Sequence, residues 1–195
     1  MPRPGTTDSA IPSHLSYVCT VGGVHHRTAG VALAVATLLV MPATDAAAST
    51  VLRLDGVGPL RLGMTRTAAL ATGWLAERKP GCELGGPPLP ITYRFTGRHA
   101  PNDMRGAAEF RGGRLRGLSF TAGVRTTTGV AVRTTTAARM VARYRNAGFT
   151  ASAQFVPTFG GTFVDVRRGG RQVLGGFAHR RVVTTLAIPV VSVCE

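Results

Sequence analysis

The sequence predicts an α+β fold in which two tandem repeats, each a helix followed by antiparallel strands, form a two-layer domain. The main observation is that the pattern of residues 60–70 recurs 70 positions later, at residues 130–140. Apolar residues open and close both copies, and Thr65 in the first copy is matched by Thr135 in the second. Self-similarity at a fixed offset is typical of a duplicated supersecondary unit.

A hairpin signal also occurs twice and supports the same division. Arg-Gly-Gly-Arg stands at residues 111–114 and again at residues 168–171, each time between segments of alternating polarity. Two adjacent glycines suit a two-residue type I′ turn, in which both central residues have a positive φ. RNA-binding proteins carry similar arginine-glycine arrays, but those arrays are disordered. A turn is therefore the favoured interpretation.

The remaining elements follow from periodicity and from helix caps. Thr65 is expected to cap a first helix at residues 65–72, and Thr134 or Thr135 a second at residues 137–147, each helix ending at a glycine. Alternating or continuous apolar residues predict the strands. These strands are residues 51–54, 60–64, 91–96, 107–111, 114–120, 163–167, 172–177 and 182–188.

Regular pairing across the two hairpins predicts which side chains share a face of the sheet. In the first hairpin we expect Phe110 to lie opposite Leu115, and Glu109 to lie opposite Arg116. In the second hairpin the same rule predicts four apolar side chains on the core face. They are Val164, Val166, Val173 and Phe177.

Residues 1–48 are interpreted as an N-terminal extension and a secretory signal peptide. A short apolar run at residues 28–40 follows Arg27, and three alanines ending at Ala48 supply the small residues of a cleavage site. The run is shorter than the about 20 residues that a membrane-spanning helix needs, so no stable transmembrane anchor is expected. We therefore expect a secreted protein cleaved near Ala48, with a first α/β repeat at residues 49–126 and a second at residues 127–195.

The chain expected after cleavage contains two cysteines, Cys82 and Cys194. An even number of cysteines in an exported chain favours a disulfide bond. In the chain-entropy model, closing a loop of about 100 residues stabilises the folded state by about 4.7 kcal/mol. Two free thiols, or a bridge between two molecules, are the alternative.

Charge is the next constraint on function. The chain has 23 Lys and Arg against 9 Asp and Glu, which gives a formal net charge of +14. Such an excess attracts polyanions, which include nucleic acid, anionic lipid, phosphate-bearing wall polymers and acidic proteins. A soluble, self-repelling surface together with a GC-rich coding sequence explains the arginines equally well.

Short segments of the chain resemble a known group of proteins. Residues 56–65, the pair Gly81-Cys82 and residues 129–132 look like those of small exported actinobacterial proteins. Their repeat resembles the fold of the β-lactamase inhibitory proteins and of the outer-membrane assembly lipoprotein BamE, in the SmpA/OmlA family. The resemblance implies a sheet with a concave face for another protein. The chain departs from it because no lipidation cysteine is present, and because Arg133 stands where the first copy has Gly63.

The sequence offers little for catalysis. His99 and Asp103 are close enough in sequence to be considered as a general base and the group that orients it. A solvated loop histidine is the simpler interpretation. Metal-ligand spacing, phosphate loops and dinucleotide fingerprints are not found in the sequence, so we expect no enzyme, no metal and no cofactor.

These observations predict a secreted, non-enzymatic protein-binding domain, inhibitor-like in character, whose unidentified partner is acidic. The expected binding residues are the arginines at the hairpin tips, namely Arg111, Arg114, Arg168 and Arg171. The alternative function is electrostatic binding to an anionic cell-envelope polymer, lipid or nucleic acid. Nucleic acid is the least expected of these ligands because an exported protein rarely meets it. A hydrolase using His99 and Asp103 is a third hypothesis.

Overall fold

Twelve strands and two α-helices make up the part of the chain that the computed structural model describes, which is residues 50–81, 87 and 89–192. The strands are β1 (Thr50–Arg53), β2 (Gly56–Val57), β3 (Leu60–Arg61), β4 (Ala76–Pro80), β5 (Ile91–Arg94), β6 (Arg105–Arg111), β7 (Arg114–Ala122), β8 (Val124–Thr126), β9 (Thr150–Val156), β10 (Gly161–Arg168), β11 (Arg171–His179) and β12 (Val182–Ile188). The helices are α1 (Arg66–Ala71) and α2 (Ala137–Asn146), with a 3-10 turn at Pro157–Phe159. No helix in this described part is long and apolar enough to cross a membrane.

The predicted α+β fold class was wrong. Strands account for 51% of the described residues and helices for 14%, and the strands form two sheets, one of them with eight antiparallel strands. The prediction treated residues 60–70 and 130–140 as two copies of one unit, so that their first segments, 60–64 and 130–132, would have the same structure. Only the first segment pairs, as β3, while the second is irregular and forms a single bridge between Arg125 and Ala131. Both helices are short, and the chain after each of them forms more strand than helix.

The large sheet consists of two four-stranded meanders joined at their last strands. Its order is β4-β5-β6-β7-β12-β11-β10-β9, and every neighbouring pair is antiparallel. The join between β7 and β12 pairs Leu118 with Ile188 and Phe120 with Leu186. The small sheet has the order β3-β2-β1-β8, with β1 and β8 parallel.

A threonine caps each α-helix, but the threonine predicted for the second helix was wrong. Thr65 accepts a hydrogen bond from the Ala68 backbone N–H at 3.2 Å, which confirms it as the cap of α1. The cap of α2 is Thr136, which accepts from the Arg139 N–H at 3.2 Å. The prediction of Thr134 or Thr135 was therefore wrong by at least one residue. Thr135 is buried, and its hydroxyl is already bonded to the Ala131 N–H at 3.0 Å.

One face of the large sheet holds the core. Leu118, Phe120, Leu174 and Leu186 are all buried on this face, and the buried residues of both helices and of the small sheet join the same cluster. Helix α2 lies so close to β11 that a Cβ built on Gly176 would stand 2.9 Å from the Met140 sulfur. We call the opposite face of the large sheet the open face, because neither α1 nor α2 packs on it.

Candidate protein-binding face

The floor of the open face is made of small side chains. The pairing register aligns Ala107 with Ser119, Ser119 with Ala187, and Ala187 with Gly175 across four neighbouring strands. Directly paired residues in an antiparallel sheet point to the same side. Because these four residues are two alanines, a serine and a glycine, the centre of this face is low, and longer side chains stand around it.

A groove of about 570 Å³ lies over β5, β6 and β7 on the open face. Three cations line it, Lys79, Arg94 and Arg105, and no carboxylate is among its described lining residues. One exposed proline, hydroxyl groups, small residues and two buried apolar side chains supply the rest of the lining. These residues are Pro80, Thr92, Phe95, Thr96, Met104, Gly106, Ala107, Ser119 and Thr121.

Three phenylalanine rings form an aromatic cluster on the other half of the open face. The centroids of Phe163 and Phe177 lie 4.9 Å apart, and those of Phe159 and Phe163 lie 5.7 Å apart in an edge-to-face arrangement. Phe159 is 38% exposed, and the other two rings are half-buried. Exposed aromatic rings are enriched at protein interfaces because they bury a large area on binding.

The position of Phe177 contradicts the sequence prediction. A bulge at Val173 shifts the pairing, so that Val166 lies opposite Leu174 rather than opposite Val173. Since side chains alternate along a strand, a shift of one residue exchanges the two faces. Leu174 and Gly176 therefore face the core, and Phe177 turns to the open face beside Phe163.

The last described residues border the open face. Val191 lies against Gly175, where a built Cβ would stand 3.0 Å from its Cγ2 atom. The hydroxyl of Ser192 donates to the Glu109 carboxylate at 3.3 Å. The segment 189–192 thus covers part of the floor and leaves the groove on one side and the aromatic cluster on the other.

The four predicted tip arginines lie at one end of the large sheet. Strands β7 and β11 both pair antiparallel with β12, so they run in the same direction and their first residues, Arg114 and Arg171, lie at the same end. The centres of the two hairpins are three strand spacings apart, which is about 14 Å.

Three of these four arginines already have partners within the chain. Arg114 donates to the Gly63 carbonyl at 2.9 Å, and Arg111 lies 3.8 Å from the Glu109 carboxylate. The Arg168 guanidinium lies 4.4 Å from the centre of the Phe149 ring. Arg171 is exposed and has no ion pair among the described residues. Binding by the tips remains a prediction, and the two tips are not equivalent.

The residues considered for catalysis do not form a hydrogen-bonded pair. His99 Nδ1 lies 3.2 Å from the Thr72 carbonyl oxygen, so its ring fixes a loop against the end of α1. Asp103 is exposed, and no hydrogen bond joins it to His99. Within the described ranges, no group of three or more His, Cys, Asp or Glu could hold a metal ion. Cys82 and Cys194 lie outside the described residues.

Comparison with known proteins found no relative of this chain. No protein-family model, curated protein or solved structure matches the chain. The function is therefore inferred from the geometry of the open face.

Sequence reasoning missed the residues that distinguish this face. Lys79 was not singled out because β4, with Arg, Lys and Pro in its sequence, was not predicted as a strand. Arg94 lies in the predicted strand at residues 91–96, but the other cations of the groove are on other strands. The sequence did contain one signal for this face, because residues two apart on a strand point to the same side. This applies to Thr92 and Arg94 on β5 and to Phe163 and Asp165 on β10.

Proposed function

We propose that this chain is an exported, non-catalytic domain that binds another protein through the open face of its large sheet. The aromatic cluster of Phe159, Phe163 and Phe177 carries this proposal. Aromatic rings and arginines dominate the binding energy of many protein interfaces. The open face offers both, with the aromatic cluster on one half and the basic groove on the other.

The aromatic cluster also separates this proposal from its alternative, which is electrostatic binding to an anionic polymer, lipid or nucleic acid. Binding by charge alone requires a high density of positive charge and makes no use of exposed phenylalanines. Export is supported by the apolar run at residues 28–40 and the alanines that end at Ala48. An exported binding domain meets its partner at the cell surface or in the medium.

The experiment is affinity capture with a matched pair of variants. Phe159→Ser removes one ring of the aromatic cluster, and Phe155→Ser removes a 60% exposed ring from the edge strand β9. Phe155 pairs with Thr162, whose other neighbour Ala178 is buried in the core, so Phe155 points to the opposite side of the sheet. Culture medium and envelope fractions are passed over each immobilised protein at physiological salt.

We expect one protein to be retained in stoichiometric amount by the wild type and by Phe155→Ser, and to be lost with Phe159→Ser. Equal retention by both variants would contradict binding through the open face. Retention of polyanions alone, released from all three proteins by moderate salt, would favour the electrostatic alternative.

A further inference from the structure

The three cations of the groove lie on neighbouring strands in a diagonal line. Lys79 on β4 pairs with Thr92 on β5, and Arg94 is two residues further along β5. Arg94 pairs with Ala107 on β6, and Arg105 is two residues before Ala107. Each cation is thus a diagonal neighbour of the next, at about 7–8 Å between Cα atoms.

Contacts within the chain position two of these three cations, Arg105 and Arg94. Arg105 Nη1 donates to the carbonyls of Asn102 and Met104 at 2.7 and 2.8 Å, which fixes the guanidinium, and its other nitrogens make no hydrogen bond among the described residues. Arg94 lies 3.9 Å from the Glu77 carboxylate, an exposed pair that contributes little and that a ligand can replace. A side chain ordered before binding loses less entropy when it binds.

The floor of the groove offers weakly engaged hydroxyl groups. Thr92 donates to the carbonyls of Lys79 and Pro80 at 3.4 Å, and Ser119 donates to the Ala107 carbonyl at 3.5 Å. These distances are at the long limit of hydrogen bonding, so a ligand that offers better geometry can take these donors.

We propose that the groove binds an extended segment of the partner protein that carries Asp or Glu at alternate positions. Alternate residues of an extended chain are about 6.8 Å apart, which matches the spacing of the three cations. Carboxylates at positions i, i+2 and i+4 of one segment would then face Lys79, Arg94 and Arg105. This inference rests on the proposed function and adds to it the chemistry of the partner.

The test compares two labelled peptides of identical composition. One carries three Asp at alternate positions, and its isomer carries the same three Asp consecutively. Binding to the purified protein is measured by fluorescence anisotropy at about 0.15 M salt, where distant surface charges are screened. The variants are Lys79→Gln, Arg94→Gln and Arg105→Gln, and the control is Arg139→Gln, which removes an exposed charge on α2.

We expect the alternating peptide to bind more tightly than its isomer, and each groove variant to weaken it by about 2- to 5-fold. Arg139→Gln should leave the affinity unchanged. Equal affinity for the two peptides, or an equal loss with Arg139→Gln, would overturn the proposal, because net charge alone would then explain the binding. Heparin is tested in parallel. Loss of heparin binding in the groove variants, with no loss of peptide binding, would assign the groove to a sulfated polymer and would also overturn the proposal.

The outcome for the groove can be separated from the outcome for the open face. The triple variant of Lys79, Arg94 and Arg105 is added to the capture experiment. If the triple variant retains the protein that Phe159→Ser loses, the proposal that the groove binds an acidic segment is refuted, and the proposed function is not.

Discussion

Phe163 and Phe177 stand side by side on neighbouring strands of the open face, with ring centroids 4.9 Å apart. They meet because the bulge at Val173 turns Phe177 away from the core. The bulge therefore leaves both rings half-buried on the open face, whereas the predicted register would have placed Phe177 in the core. Under the proposed function, this pair supplies binding area rather than folding stability.

The first prediction compares how much stability is contributed by an aromatic ring in the core and by a ring on the open face. Phe120→Ala should lower the free energy of unfolding by about 3–5 kcal/mol, because this ring is 0% exposed in the core. Phe163→Ala should lower it by only about 1 kcal/mol, because its ring is partly exposed in the native state. Urea unfolding measures both. A loss at Phe163 as large as that at Phe120 would indicate a structural role for the aromatic cluster.

The second prediction concerns the start of α2. Thr136→Ala should destabilise the protein by about 1 kcal/mol, because the Arg139 N–H loses its side-chain acceptor. Thr134→Ala serves as the control, since Thr134 is exposed and makes no side-chain hydrogen bond among the described residues. Thermal unfolding of the two variants distinguishes them. Equal effects would mean that the helix does not depend on the Thr136 cap.

The third prediction concerns the turn at the second hairpin tip. Gly170 has a φ of +76°, and a Cβ built there meets nothing within 4 Å. Gly170→Ala should therefore cost about 1 kcal/mol through backbone strain alone, without any steric clash. Gly170→Asn should cost less, because Asn tolerates this conformation. If the two variants unfold at the same denaturant concentration, backbone strain is not the cause.

Much of the local structure could be predicted from the sequence. Arg-Gly-Gly-Arg does form a two-residue turn twice, and all four glycines have a positive φ, as a type I′ turn requires. The pairing of Phe110 with Leu115 was confirmed. These features depend on residues adjacent in the chain, where glycine and threonine have strong conformational preferences.

Register and long-range pairing could not be predicted in the same way. Each hairpin contains a bulge, so Glu109 lies opposite Gly117 instead of Arg116, and Val173 is displaced from its expected partner. A bulge leaves no clear signal in a pattern of period two, yet it exchanges the faces of every residue beyond it. The join between β7 and β12 depends on residues about 70 positions apart, and no local pattern specifies it.

The fourth prediction is the disulfide bond between Cys82 and Cys194. Their nearest described neighbours, Gly81 and Ser192, both lie at the hairpin-tip end of the large sheet, since Pro80 pairs with Ile91 beside Phe110 and Ser192 bonds to Glu109. Peptide mapping without reductant should recover the two cysteines as one linked pair. Cys82→Ser and the double variant with Cys194→Ser should lose the same stability, about 2–4 kcal/mol. Two free thiols in the native protein would contradict the bond.

Site-specific photocrosslinking in the producing cells tests the open face most directly. A photoreactive amino acid replaces Thr121, which is exposed at the groove, or Arg139, which is exposed on α2. Binding through the open face predicts one discrete protein adduct from position 121 and none from position 139. Adducts of equal yield from both positions, or an adduct from position 139 alone, would show that the partner does not bind at the open face.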